Sequence, residues 1–248
     1  MILYFHKLVE SEQDCISDDM PVSSFRKGIL SLLAEGYSFV SLSDYLRSSA
    51  GEKENLVTVT FDDAHHSIVK YVEVIEELDI PIMVFCPFFN VKNGWAVDEA
   101  KLSSEHSFLR KVYKQSGVLF RWVCAPFIPS GFYSKCLTFD DLDFLYKRLG
   151  DNFSIGGHGA FHIKHSVINS ISVLLEVGLS RAAFKGRKGF CNFYSYPYGH
   201  YSSVSKSIVK KFGYRYGIST ESGGEDDMCI RRINGKTMLS RFFSEGLK

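Results

Sequence analysis

The sequence has no Cys-x-x-Cys pair, no basic block and no apolar run of membrane-spanning length. Each absence removes a class of protein. The six cysteines (Cys15, Cys86, Cys124, Cys136, Cys191 and Cys229) stand singly, as reduced and mostly buried thiols do, not as a disulfide frame. A formal net charge of +1 without a cationic cluster gives no reason to expect a nucleic-acid partner. No stretch approaches the ~20 apolar residues of a transmembrane helix. The opening Met1-Ile2-Leu3-Tyr4-Phe5-His6-Lys7 has neither the basic start nor the apolar length of a secretory signal, so a cytoplasmic location is the expectation. There is no internal repeat and no low-complexity segment.

Apolar and aromatic residues are plentiful. Hydrophobic content is 45%, with 21 Phe and 13 Tyr, enough for one large α/β core. A single domain over residues 1–248 is therefore expected. Its most informative stretch is Leu56-Val57-Thr58-Val59-Thr60-Phe61-Asp62-Asp63. An almost continuous β-branched run suits a strand covered on both faces. Two adjacent carboxylates at its end suit a site where loops gather catalytic groups. A helix cap beginning near Ala64 would account for one of them, less readily for both.

The rest of the chain alternates strands and helices, as a parallel α/β arrangement requires. Strands are predicted at 2–5, 37–42, 82–85, 153–155, 193–196, 214–218 and 230–233. Helices are predicted from Ser23 or Ser24 to Glu35, over 67–78, from about 138 to 149, 170–184 and 202–212, with a short one at the C-terminus. Residues 9–22 read as a polar loop. Residues 96–136 read as an elaborated connection, with a helix near 102–115 and an aromatic patch of Trp122, Phe127 and Phe132. It either walls a substrate cleft or forms a satellite core under a long loop.

A second cluster is Gly156-Gly157-His158-Gly159-Ala160-Phe161-His162. Two His residues four apart on one helical turn point at the same ion, and an Asp can complete the ligand set of Zn²⁺ or a similar divalent metal. Such a set leaves a position open for water. His165 reads as an outer support or a surface residue. His65 and His66 read as helix-surface residues, or one of them lines the cleft.

Thr60-Phe61-Asp62-Asp63, His158-x-x-x-His162 and Tyr196-Pro197-Tyr198-Gly199, in that order, resemble the polysaccharide deacetylase family (carbohydrate esterase family four). Tyr4-Phe5-His6, Ala34-Glu35-Gly36-Tyr37 with Val40-Ser41-Leu42, and Ile80-Pro81-Ile82-Met83-Val84-Phe85 extend the resemblance over nearly the whole chain outside 96–136. The resemblance implies a distorted, incomplete (β/α) barrel and metal-dependent removal of an N-acetyl, sometimes an O-acetyl, group from a sugar. By position, Asp62 would be the general base, and Asp63, His158 and His162 the metal ligands, with zinc the first candidate. The backbone N–H of Tyr198 would help hold the oxyanion. Tyr196, Pro197 and Trp95 would face the sugar.

Many members carry their general acid as a His near the C-terminus, whereas here no His follows His200. A permuted subset with a Tyr-His-like motif on the first strand is the better likeness. It would give the acid role to His6, whose plain alternative is a core-rim histidine bonded to backbone. Three positions depart from the family: Ala64 for a Gly, Gly159 for a Ser or Thr, and Ser195 for an Arg that orients the catalytic Asp. Arg231 or Arg232 is a candidate substitute, set against the duller reading of both as surface arginines. With no export signal, the resemblance favours a nucleotide- or lipid-linked sugar precursor of surface glycans. Deformylation, O-acetyl ester hydrolysis, or a catalytically silent carbohydrate-binding relative are the alternatives.

Overall fold

A computed structural model describes residues 1–16, 18–98, 130–220 and 226–244. The strands are β1 (Ile2–Phe5), β2 (Leu8–Val9), β3 (Met20–Pro21), β4 (Ser38–Phe39), β5 (Leu56–Phe61), β6 (Ile82–Cys86), β7 (Trp95–Val97), β8 (Tyr133–Lys135), β9 (Phe153–Gly157), β10 (Phe190–Ser195), β11 (Tyr216–Ser219), β12 (Ile230–Arg231) and β13 (Ile233–Asn234). The helices are α1 (Val22–Ala34), α2 (Leu42–Arg47), α3 (Ser67–Lys70), α4 (Val72–Leu78), α5 (Phe88–Asn93), α6 (Phe139–Leu149), α7 (Ser170–Phe184), α8 (Ser203–Lys211) and α9 (Gly235–Ser244). The predicted helix at 102–115, Trp122 and Phe127 lie outside the described residues.

Eight parallel strands form one path, β12-β11-β10-β9-β6-β5-β1-β13, with β4 paired to the start of β5. The two end strands are consecutive in sequence, separated by Arg232 alone. Residues 230–231 pair with β11, and residues 233–234 pair with β1. One extended segment thus brings the sheet back on itself. The result is the incomplete α/β barrel that the sequence implies, with a single unsealed seam at Arg232.

Alternation along each strand sorts side chains between two layers. On β5, Val57, Val59 and Phe61 join Phe25, Ile29 and Leu32 of α1 and Val72 and Ile75 of α4 in the main core. Thr58, Thr60 and then Asp62 take the opposite face, which is the barrel interior. A second cluster of Ile2, Met83, Phe85, Phe193 and Ile218 fills that interior from four strands.

The helices begin where side-chain oxygens meet orphan N–H groups: Ser41 at α2, Thr138 with Asp141 at α6, Asn169 at α7 and Ser202 at α8. Three expectations need correction. The predicted helix over 67–78 breaks at Tyr71 (φ −114°, ψ 25°) into α3 and α4. The polar 9–22 segment is bounded by the short parallel pair β2–β3, because Leu8, Val9 and Met20 are apolar and buried. The His158–His162 stretch is no helix: it leaves β9 as an irregular turn with positive φ at Gly159 and His162, and the glycines on its approach favour that course.

Candidate active site

The carboxyl ends of the parallel strands meet at one end of the barrel. His6 follows β1, Asp62 and Asp63 follow β5, His158 ends the run of β9, and Tyr198 follows β10. These residues, with His162, line a cavity of about 580 Å³. Ala96, Val97, Asp98, Ser134 and Cys136 line it too, so the described ends of the long connection do wall the cleft. Backbone bonds tie that wall to the turn after β5: Leu137 N–H donates to the Ala64 carbonyl, and His66 N–H to that of Lys135.

The local backbone is strained. Among the described residues five non-glycine positions have positive φ, and four of them (Asp63, Ala64, His162 and Tyr198) are in this site. Such conformations cost of order 1 kcal/mol or more each and persist only where surroundings enforce them. At Ala64 the departure from Gly keeps the left-handed turn (φ 53°) and tucks the methyl group into the core.

Asp63, His158 and His162 converge, their ligand atoms all within 4.8 Å of one another. Asp63 Oδ1 lies 3.4 Å from His158 Nε2 and 3.0 Å from His162 Nε2, yet it is buried and makes no hydrogen bond. His158 Nδ1 is 2.7 Å from the Ser195 carbonyl, which only accepts, so Nδ1 carries the hydrogen. That leaves the Nε2 lone pair facing Asp63, the tautomer a metal ligand needs. Two imidazole nitrogens and a carboxylate oxygen gathered at one point, the oxygen orphaned, fit a divalent cation.

Charges follow the same geometry. Burial disfavours ionisation of Asp62, but the guanidinium of Arg232, then His158 and His6, outweigh it and hold the carboxyl below its ordinary range. For Asp63, burial is again outweighed, here by His162, His158 and His6. Burial works against a proton on His158, and Asp62 and Asp63 reverse the balance, raising it.

Arg232 is the residue that the sequence reading undervalued. It is 1% exposed and lies inside the barrel. Its Nη1 donates to Asp62 Oδ1 at 2.8 Å and to Thr60 Oγ1 at 3.0 Å. Its Nη2 donates to Asp62 Oδ2 at 2.6 Å and to Ser195 Oγ at 2.8 Å. The small Ser195, at the position where the family has an Arg, leaves room for an arginine from the seam between β12 and β13. The reading of both arginines as surface residues holds for Arg231, which is exposed, and fails for Arg232.

Glu176 of α7 belongs to none of the sequence motifs. It is fully buried and accepts N–H groups from Phe161 (3.0 Å) and Ile163 (3.4 Å), clamping the loop that carries His162. A Cβ on Gly159 would stand 2.5 Å from Glu176 Oε2. The missing hydroxyl at position 159 is therefore the space of a carboxylate. The available signal was one acid on the buried stripe Val173, Val177 and Ser180.

The remaining expectations divide. His65 lines the cavity. His165 is buried, with its Nε2 3.0 Å from the Tyr194 hydroxyl. Tyr196 and Pro197 do not reach the cleft: both are buried, and Tyr196 OH donates to the Met228 carbonyl. Trp95 is also absent from the cleft lining and packs on Tyr133, ring centroids 4.4 Å apart. The rings of Tyr196 and Trp95 are spent on packing, which sequence alone does not distinguish from sugar stacking.

No family model and no curated protein matches the sequence. Solved structures do. The Streptococcus pyogenes deacetylase PplD, solved with acetate, superposes with a TM-score of 0.67 over 98% of this chain and 96% of its own, at 16% identity. IcaB from Ammonifex degensii gives 0.68 over 98% and 94%, at 16% identity. The chain has the polysaccharide deacetylase fold. A de-N-acetylase from Aggregatibacter actinomycetemcomitans shares that fold at a TM-score of 0.64 and 12% identity, covering 97% of this chain and 98% of its own. In the deacetylase fold of this chain, the strand ends carry the site described above.

Proposed function

We propose that this chain is a metal-dependent hydrolase that removes an N-acetyl group from a sugar. The observation that carries the reading is the orphaned Asp63 Oδ1 facing two imidazole Nε2 atoms, beside an ionised Asp62, in a deacetylase fold. Asp63, His158 and His162 would hold the ion, with zinc the first to try given two imidazoles and one carboxylate. When bound, a divalent ion there supplies Lewis-acid polarisation of the acyl carbonyl and lowers the pKa of water.

The chain's own residues do the rest. Asp62 accepts a proton from the attacking water, its carboxylate fixed in orientation by the Arg232 fork. The Tyr198 backbone N–H, at a turn with φ 59°, donates to the developing oxyanion. His6, on the neighbouring strand end, gives a proton to the leaving amine. Ser195, Thr60 and Arg232 hold the Asp62 carboxylate in one orientation.

Nucleotide- or lipid-linked N-acetyl sugars inside the cell are the first substrates to assay. Acetate release is measured with and without chelator, for the wild type and for Asp63→Ala and His158→Ala. Loss in all three treatments is expected. Release that continues unchanged in both variants overturns the metal mechanism.

A further inference from the structure

Exposed apolar side chains are unevenly spread on this molecule. Of eleven large hydrophobic residues exposed among the described residues, Val167, Ile171, Leu174, Leu175 and Leu179 lie on α7 or just ahead of it. The last four follow the i, i+3, i+4, i+8 spacing of one helical stripe. They are 37–68% exposed, while Val173, Val177 and Phe184 on the other side are buried. A helix apolar on both sides has a second surface to cover.

Charge is uneven in the same place. Residues 164–220 contain nine Lys and Arg and a single acid, Glu176, which is buried. This segment is net +8 in a chain of net +1, without any contiguous basic run; Arg187 and Lys206 of the nine are paired with Asp143 and Asp226 from outside it. Lys185 and Lys188 follow α7, and Lys210 and Lys211 end α8, all four exposed. The two helices pack side by side, with Phe212 close over Gly178, where a Cβ would stand 3.1 Å from the ring.

We propose that α7 and its basic surroundings dock on an anionic lipid bilayer. Leucine and isoleucine would enter the boundary between headgroups and acyl chains, while the lysines meet lipid phosphates. The charge favours this occupant over a second copy, which would bring the same cationic face against this one. Val167 and Ile171, the most exposed of the set, stand directly after the His158–His162 loop. Docking therefore brings the cleft close to the bilayer, which suits a lipid-linked substrate. That consequence rests on the function proposed above; the docking itself does not.

The test is co-sedimentation of the full chain with phosphatidylcholine vesicles, with and without phosphatidylglycerol. Binding is expected only with the anionic lipid, and it weakens as salt is added. The pair Leu174→Glu with Leu175→Glu should lower binding roughly tenfold or more. Lys210→Ser and Lys211→Ser should each lower it about fivefold. If the Glu pair lowers thermal stability, Leu174→Gln with Leu175→Gln replaces it. Three results would overturn the proposal: no binding to anionic vesicles at low salt, undiminished binding by the leucine variants, or a wild-type dimer in light scattering that those variants dissociate. The readout is independent of acetate release, so docking and catalysis fail separately.

Discussion

The fork of Arg232 on Asp62 is the most consequential contact at the scale of single residues. Both partners are buried, so neither charge has water to fall back on. Replacing a buried pair by apolar groups is often neutral, but removing one partner strands the other at about 3–5 kcal/mol. Arg232→Ala should therefore lower stability by about that amount in urea unfolding, and Asp62→Leu combined with Arg232→Met by much less. Equal losses in the two would mean that the pair is not coupled as its geometry indicates. His165 makes a prediction in pH. Burial, aided by the charges of His158 and His162, lowers its pKa from 6.5 to about 3, so the folded protein keeps the ring neutral. As pH falls below 6.5 the unfolded chain takes up a proton that the folded one refuses. Stability thus falls toward acid, by about 2 kcal/mol between pH 7 and 5 from this group. In chelator, His165→Gln should flatten the acid slope by that amount; parallel slopes would refute the assignment.

At the scale of elements, the His158–His162 turn depends on α7. Glu176 accepts two of the turn's N–H groups, while Phe88 and Phe89 donate to its Gly159 and Ala160 carbonyls. Glu176→Gln keeps the shape but sets an amide against N–H donors, at about 1–3 kcal/mol. It should also weaken metal binding by roughly 10–100-fold, as loss of an outer support typically does. Gly159→Ser should be worse than its chemistry suggests, since φ is +77° and the new Cβ would collide with Glu176. A competition titration with a chromophoric chelator reads both; unchanged affinity in Glu176→Gln would reduce the clamp to ordinary packing. These elements also show what sequence can reveal. The Asp62-Asp63 pair and the two imidazoles were legible because each is local and ends an apolar strand. α7 was legible through its polar start, and α8 through its polar start and the stop at Gly213. The break at Tyr71 and the non-helical path of His158–His162 were not, because backbone conformation there answers to tertiary contacts. Arg232 was hidden for a related reason: its partner lies 170 positions away, and one arginine in a pair of adjacent arginines carries no sign of which faces inward.

For the whole molecule, closure of the barrel was implied by resemblance and not by any pattern in the residues. What brings the ligands together is that β1, β5, β9 and β10 are parallel and end on the same side. The site is thus a property of the assembled sheet, and metal binding must report on the folded state. An unfolded chain has its two imidazoles and Asp63 about 100 positions apart and gains little from a cation. Saturating metal at 100 times its Kd should then add about 2.7 kcal/mol of stability. For a chain of this size that corresponds to roughly 5–10 °C in Tm. Chelator should reverse the rise, and His162→Ala or Asp63→Ala should abolish it. A Tm that ignores zinc, manganese and cobalt alike would mean that the three donor atoms, though gathered at one point, do not form a cation site.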